Sequence, residues 1–230
     1  MTDLHAHILP GMDDGASSVE ESLAMLQMEW DQGVDRVALT SHFYSAKEAV
    51  SSFLARRDAA CKELLARLDG AEHPKLILGA EVALIPGISE LPELDKLCYD
   101  GTRILLVELP MIPWTDTVFN LLHSLESRRG LMPMIAHVDR YFHCQKKEQL
   151  ERLLEMGYPI QVSSGALLRN LGRVRALRLI RDYDALLISD CHTTKNRCPN
   201  LGEALKIVRK KLGSAVADRA SRFTDEVLSD

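Results

Sequence analysis

The sequence predicts an α/β fold: a small, distorted (β/α)7 barrel, built as one domain over residues 1–230. Short apolar runs alternate with amphipathic stretches along the whole chain, the pattern of strand–helix units. Runs such as Ile104–Val107 and Leu186–Ile188 are continuously apolar, as parallel strands covered on both faces are. No composition break, repeat or low-complexity segment marks a linker.

The elements follow in order. Thr2–His5 is a short first strand. Ser17 and Ser18 then start a helix, with Glu20 and Glu21 three residues on as capping-box partners, and Leu23, Leu26 and Trp30 mark one stripe of it. Val34–Thr40 is the second strand. A helix from Ala46 to Leu68 follows, with Val50, Phe53, Leu54, Cys61, Leu64 and Leu65 on one face. Lys75–Val82 is the third strand, and the proline- and glycine-bearing stretch Ile85–Gly101 is an irregular connection. Arg103–Leu109 and Met132–His137 are the fourth and fifth strands, each followed by a helix, Thr115–Arg129 and Lys146–Met156. Pro159–Ser163 is the sixth strand, followed by a helix near Val174–Asp182. Ala185–Ser189 is the seventh, and helices near Leu201–Leu212 and Ser214–Leu228 close the chain.

Bulk properties narrow the function. A hydrophobic fraction of 46% and a charged fraction of 27% are ordinary for a globular protein. The net charge of −5 and the lack of any long basic run argue against a nucleic-acid surface. No apolar stretch is long enough for membrane insertion. The five cysteines form no CxxC pair and suit a reducing compartment, and MTDLHAH has no signal-peptide character, so a cytoplasmic location is expected.

The chemistry is concentrated at strand ends. His5, His7, Asp14, His42, Glu81, Glu108, His137, Asp190 and His192 nearly all fall where an apolar run finishes. Side chains at the carboxyl ends of parallel strands converge on one mouth. So many imidazoles and carboxylates in one place repel each other unless divalent metal relieves them. His5-Ala-His7 puts two imidazoles on one side of an extended segment, and Asp190-Cys-His192 repeats that spacing. The loop Pro10–Gly15 is able to swing Asp14 back over them.

Mixed imidazole and carboxylate donors suit zinc, manganese, iron or cobalt better than calcium. Nine ligands exceed what one ion takes, so two or three ions sharing a bridging carboxylate are expected. Three divalent ions outweigh four carboxylates, and the resulting positive mouth attracts a phosphate dianion. Arg140, three residues past His137, and Arg197, five past His192, offer guanidinium forks that match phosphate oxygens. His73, His123 and His143 have no strand-end placement and are assigned to surface or packing roles, while Trp114 suits either the mouth or packing.

These motifs carry a family resemblance. DLHAHILPGMDDGA, TSHF, GAEV, VELP, AHVDRY and SDCHTTKNR follow, in order and spacing, those of the polymerase and histidinol phosphatase (PHP) superfamily. Within it the chain resembles the bacterial capsular and exopolysaccharide tyrosine phosphatases of the CpsB/YwqE type, over essentially its whole length. The resemblance implies a distorted seven-stranded barrel, similar to a TIM barrel, with three divalent ions. Manganese is the typical metal, with iron, zinc, cobalt and magnesium as other candidates. It implies that His5, His7, Glu81 and Asp190 hold the first ion, that Glu81 bridges to a second held by Glu108 and His137, and that Asp14, His42 and His192 hold the third. Arg140 and Arg197 match the family's phosphate-handling arginines. The implied substrate is phosphotyrosine on a bacterial tyrosine kinase that controls capsule or exopolysaccharide assembly. The chain departs from the pattern at His137-Val-Asp-Arg140, Gly79-Ala-Glu-Val-Ala83 and Thr40-Ser-His-Phe43, which bear on substrate and spare every proposed ligand.

Three rivals stand beside this reading. One is a small-molecule phosphatase of the histidinol-phosphate type, for which Ala80 and Ala83 leave room. Another is a cysteine phosphatase built on Cys191-x5-Arg197, disfavoured because no glycine lies between them to let backbone amides wrap a phosphate. The last is a non-catalytic, metal-stabilised binding module, disfavoured because no ligand is missing.

Overall fold

A computed structural model describes residues 1–68, 70, 72–169 and 172–226, with side chains described up to residue 220. Strands and helices alternate as expected. The strands are β1 (Thr2–Ala6), β2 (Arg36–Leu39), β3 (His42–Phe43), β4 (Lys75–Leu78), β5 (Glu81–Ala83), β6 (Ile104–Glu108), β7 (Met132–Ile135), β8 (Gln161–Ser163) and β9 (Leu186–Ile188). The helices are α1 (Val19–Asp31), α2 (Val50–Arg67), α3 (Asp116–Arg129), α4 (Lys147–Glu155), α5 (Ser164–Leu168), α6 (Arg173–Asp182), α7 (Leu201–Leu212) and α8 (Ser214–Glu226). The end of the last expected helix, at Leu228, lies outside the described residues.

One expected strand is broken in two and another gains a partner. The second ends at Leu39, near its expected end, and an unanticipated two-residue strand starts at His42; the third stops at Leu78 and resumes at Glu81. At the break in the third, Gly79 passes so close to Tyr99 that a Cβ there would meet its Cδ1 at 3.1 Å. The amide of Glu81 then bonds Ser41 O at 3.1 Å, and β3 and β5 pair with His42 opposite Glu81. Breaks that look like lost regularity thus bring two candidate ligands side by side. The long second helix starts at Val50 rather than Ala46, because Ser45–Lys47 turns first. Helix α5 was not anticipated, and two short 3-10 turns, Ile88–Glu90 and Leu94–Leu97, order the irregular connection. Ser18 caps α1 as predicted, accepting from the Glu21 amide, while the Glu21 carboxylate reaches back to the Ser17 amide at 3.0 Å.

Every pairing between these strands is parallel. The orders are β1-β2-β4, β3-β5-β6-β7 and β8-β9. Isolated bridges join Ile135 to Ile160 and Ala6 to Cys191, so the sheet edges touch. Two apolar layers result. Helix faces pack Phe53, Leu64, Leu122, Leu153 and Leu179 onto the outside of the strands. A smaller inner cluster gathers Leu4, Leu106, Met134, Leu186 and Ile188 around Tyr99, whose hydroxyl donates to Leu4 O at 2.7 Å. Each such side chain contributes about 1.5–3 kcal/mol on burial. Among the described residues, no helix is long and apolar enough to cross a membrane.

Candidate metal centre

The nine predicted residues meet in one contiguous network above the inner apolar cluster. Glu81 lies at its middle and is 1% exposed. Its Oε2 stands 3.2 Å from His5 Nε2, 3.3 Å from His7 Nε2 and 3.0 Å from His42 Nδ1. His137 Nε2 lies 2.8 Å from Oε1 of the same carboxylate and 3.7 Å from Glu108 Oε1. Asp14 Oδ1 is 3.5 Å from both His42 Nε2 and His192 Nε2, although its side chain is 65% exposed. Asp190 Oδ1 is 3.7 Å from His5 Nε2.

Apart from the hydrogen bond between His137 Nε2 and Glu81 Oε1, these contacts are not ordinary hydrogen bonds. Glu81 Oε2, His42 Nδ1, His137 Nδ1 and His192 Nε2 are buried and have no hydrogen-bond partner. Atoms about 3 Å apart that do not bond each other point their lone pairs at shared space. Buried polar atoms are normally paired, so this set calls for a cation. Among the described residues, three groups drawn from these nine lie close enough to share an ion: His5, His7 and Glu81; His42, Glu81 and Glu108; and His7, Asp14, His42 and His192. The geometry therefore fits bound metal. His137 and Asp190 stand just outside these groups, and His7 and His42 each belong to two of them, a partition different from the one the resemblance implies.

The imidazoles are oriented from behind. His5 Nδ1 contacts Gln161 Oε1 at 2.8 Å, His7 Nδ1 contacts Asp13 Oδ2 at 2.7 Å, and His192 Nδ1 contacts the Asp190 carbonyl at 3.1 Å. Each leaves Nε2 turned inward, the arrangement that fixes ring and tautomer at metal sites. Asp13 also accepts from the amides of His42 and Gly15, at 2.7 and 2.9 Å. The loop closes because residue 15 is glycine: a Cβ there would lie 2.2 Å from the His7 carbonyl oxygen. Asp13 and Gln161 were missed in the sequence. Asp13 was overlooked beside Asp14 in the tandem pair, and a lone glutamine inside the apolar run Ile160–Val162 was the available signal for Gln161.

Two candidate ligands sit on bent backbone. His137 has φ 29° and Asp190 has φ 54°, in the region that non-glycine residues rarely adopt. Both follow the end of a strand, where the turn aims the side chain into the mouth instead of letting the strand run on. Such local conformations are held by their surroundings and cluster at functional sites.

Burial and charge together set the protonation pattern of the metal-free site. Burial alone pushes His7 down, but Asp13 and Glu81 overcome it and hold the imidazole up at about 10. His5 is likewise raised against burial by Glu81. Burial and neighbouring His7 drive His192 down to about 3. Burial works to raise Glu81, but the surrounding histidines, His5 foremost, hold it well below the usual carboxylate range. Glu108 is raised by burial and by Glu81.

Both predicted arginines converge on Asp190. Arg140 pairs with its Oδ2, and Arg197 Nη2 lies 2.7 Å from Oδ1. They border a cavity of about 520 Å3 that Ser163, Arg169 and Asn196 also line. Trp114 is a packing residue: it is buried, donates to Pro110 O at 2.9 Å and meets Phe119 and Tyr141 edge-on. His123 and His143 are exposed, as expected, and His73 is half-buried. Cys191 is fully buried, and burial with the nearby Glu29 carboxylate pushes its thiol well up, so the cysteine-nucleophile reading fails on access and on charge.

Fold and site together define a class: a parallel α/β protein with a histidine–carboxylate cluster fit for metal at the carboxyl ends of its strands. The chain belongs to the capsular polysaccharide synthesis family CpsB/CapC, whose profile matches residues 1–226. It is 29% identical to the tyrosine-protein phosphatase YwqE of Bacillus subtilis over 221 residues, covering 93% of this chain and 86% of that one. It is also 29% identical to the tyrosine-protein phosphatase CpsB of Streptococcus pneumoniae over 237 residues, covering 94% and 93%. Its structure resembles that described with the crystal structures of YwqE and CpsB, metal-dependent tyrosine phosphatases, with a TM-score of 0.79 at 26% identity over 96% of this chain and 92% of that one.

Proposed function

We propose that this protein is a metal-dependent phosphomonoesterase that removes phosphate from phosphotyrosine on a bacterial tyrosine kinase of capsule or exopolysaccharide synthesis. One observation carries the reading. Glu81 Oε2 lies within 3.3 Å of three imidazole nitrogens and hydrogen-bonds none of them. The family membership and the named activity of its relatives supply the substrate class.

In this reading the chain is one domain over residues 1–230, and its strands ring a distorted seven-stranded barrel. The touching edges at Ala6–Cys191 and Ile135–Ile160 support that ring. His5, His7, Asp14, His42, Glu81, Glu108, His137, Asp190 and His192 hold three divalent ions, manganese first among candidates. Bound there, such ions would lower the pKa of water and draw charge from phosphoryl oxygens.

The remaining work falls to the chain. Gln161 and Asp13 keep the His5 and His7 Nε2 atoms aimed inward. Arg140 and Arg197 exchange part of their hold on Asp190 for the substrate's equatorial oxygens, where charge concentrates during transfer. Tyr44 stacks on His42 with ring centroids 5.3 Å apart and offers an aromatic edge beside the mouth for a tyrosyl ring. A phenolate leaves readily, so no strong general acid is required. Five free cysteines accord with a cytoplasmic setting.

Turnover of a phosphotyrosine peptide, compared with histidinol phosphate at equal manganese, tests the substrate class. The proposal expects kcat/KM to favour the peptide by at least tenfold. A preference for histidinol phosphate overturns it in favour of a small-molecule phosphatase, and no turnover of either favours a binding module.

A further inference from the structure

β1 carries an acidic side chain, Asp3, besides its histidine, His5, and among the described residues that carboxylate contacts no imidazole. Asp3 is fully buried against Glu29 of α1 and Cys191, and both of those are fully buried too. One donor atom from each lies within 4.8 Å of the others. Cys191 Sγ is 3.8 Å from Glu29 Oε1. Asp3 Oδ1 accepts from the amides of Ser189 and His5, at 3.0 and 3.3 Å. Asp3 Oδ2 and Glu29 Oε2 are buried with no hydrogen-bond partner.

Three acidic groups sealed together need either protons or a cation. Among the described residues, no lysine, arginine or histidine side chain is found in ion-pair contact with Asp3 or Glu29. The donor spacing has room for a cation in place of the thiol proton that now joins Cys191 Sγ to Glu29 Oε1. A tetrahedral ion with a sulfur ligand at about 2.3 Å and an oxygen ligand at about 2.0 Å sets the two donors about 3.5 Å apart. The observed 3.8 Å is close to that. Ser189 Oγ, which accepts from the Cys191 amide at 3.1 Å, is a neutral oxygen beside the group. A thiolate in the set selects zinc or a zinc-like ion over magnesium, calcium or manganese.

We propose that Asp3, Glu29 and Cys191 form a separate structural site for one zinc-type divalent ion, which ties β1 and α1 to the segment after β9. Binding releases the Cys191 proton and any proton held by the two carboxyls. The ion sits beneath the mouth, and Cys191 lies in sequence between Asp190 and His192. The site therefore fixes the backbone that presents both of those residues. It does not depend on the phosphatase reading, since it shares no donor with the nine mouth residues.

Cobalt substitution tests it on the full chain. The site is closed to solvent, so cobalt is supplied during expression, while the chain folds. The mouth donors include no thiol, so a near-ultraviolet thiolate-to-cobalt charge-transfer band reports this site apart from the mouth. The proposal expects the band in the wild type, its loss in Cys191→Ser, and one fewer ion per chain in that variant. A cobalt-loaded wild type without the band overturns it, and so does a band that persists in Cys191→Ser. Should that variant not fold, Cys61→Ser, Cys98→Ser, Cys144→Ser and Cys198→Ser made singly decide the matter. Retention of the band in all four assigns it to Cys191, and loss in any one removes the assignment.

Discussion

β1, β6, β7 and β9 each feed two regions of opposite character. Their bodies send Leu4, Leu106, Met134 and Ile188 into the inner cluster, where side chains are almost wholly buried and the Tyr99 hydroxyl is satisfied by Leu4 O. At or just past their carboxyl ends stand His5, Glu108, His137 and Asp190, among buried nitrogens and oxygens that lack partners. The lower region is complete by itself; the upper one is complete only with a ligand. Stability and binding capacity are thus separated along the same strands by one to three residues. Substitutions in the two regions should fail in different ways.

Glu81 is where the largest effect is expected. Glu81→Gln removes the charge shared by His5, His7, His42 and His137. Activity should fall by more than the roughly 10–100-fold typical of losing a group that merely supports a ligand. Steady-state kinetics at saturating manganese, with metal content measured alongside, checks this. Retention of near-normal turnover would remove Glu81 from the centre.

Asp13→Asn is the next test, because Asp13 acts through His7 and not on the ion. A loss of about 10–100-fold in metal affinity or activity is expected. The metal-free protein adds a pH signature. His7 is raised to about 10 in the folded chain, so its pairing with Asp13 stabilises fully below the ordinary histidine value and is lost as pH climbs toward 10. Asp13 is held below its ordinary value, so its share is present above the usual carboxylate range and is lost on acidification. The Tm gap between the wild type and Asp13→Asn, with metal stripped from both, should be widest near pH 5–6 and should shrink toward pH 10. A gap that widens with rising pH contradicts the pairing. Bound metal should show the opposite trend, stabilising more as pH rises, since histidine binds metal only when neutral.

Leu186→Ala probes the lower region. The truncated side chain leaves a cavity in the inner cluster and should cost about 2–5 kcal/mol in unfolding free energy. Turnover well below the new Tm should change little. Comparable losses of kcat and stability would show that the two regions are not separable. Cys191→Ser should lose part of its activity at saturating manganese, because the backbone presenting Asp190 and His192 is held less firmly, whereas a cysteine nucleophile would lose all of it.

Much of this was legible because chemistry falls at strand ends. A histidine or carboxylate that closes an apolar run is visible without any structure, and the nine candidates, nearly all so placed, lie in the network. The alternation of strands and helices was equally plain. Three things were hidden. At the Gly79–Ala80 break, Gly79 lies close under Tyr99, a contact across twenty residues of sequence, and the break at Thr40–Ser41 has no local mark at all. The supporting roles of Asp13 and Gln161 arise from backs of rings that only tertiary packing creates. Asp3 and Glu29 meet only through tertiary packing, and no local pattern marks two carboxyls that become neighbours in a core.

Counting ions while following activity tests the central claim most directly. The purified protein should carry bound divalent metal, lose phosphotyrosine turnover in step with its removal by chelation, and regain it on adding manganese. Undiminished turnover in a chain shown to be free of metal would contradict the account.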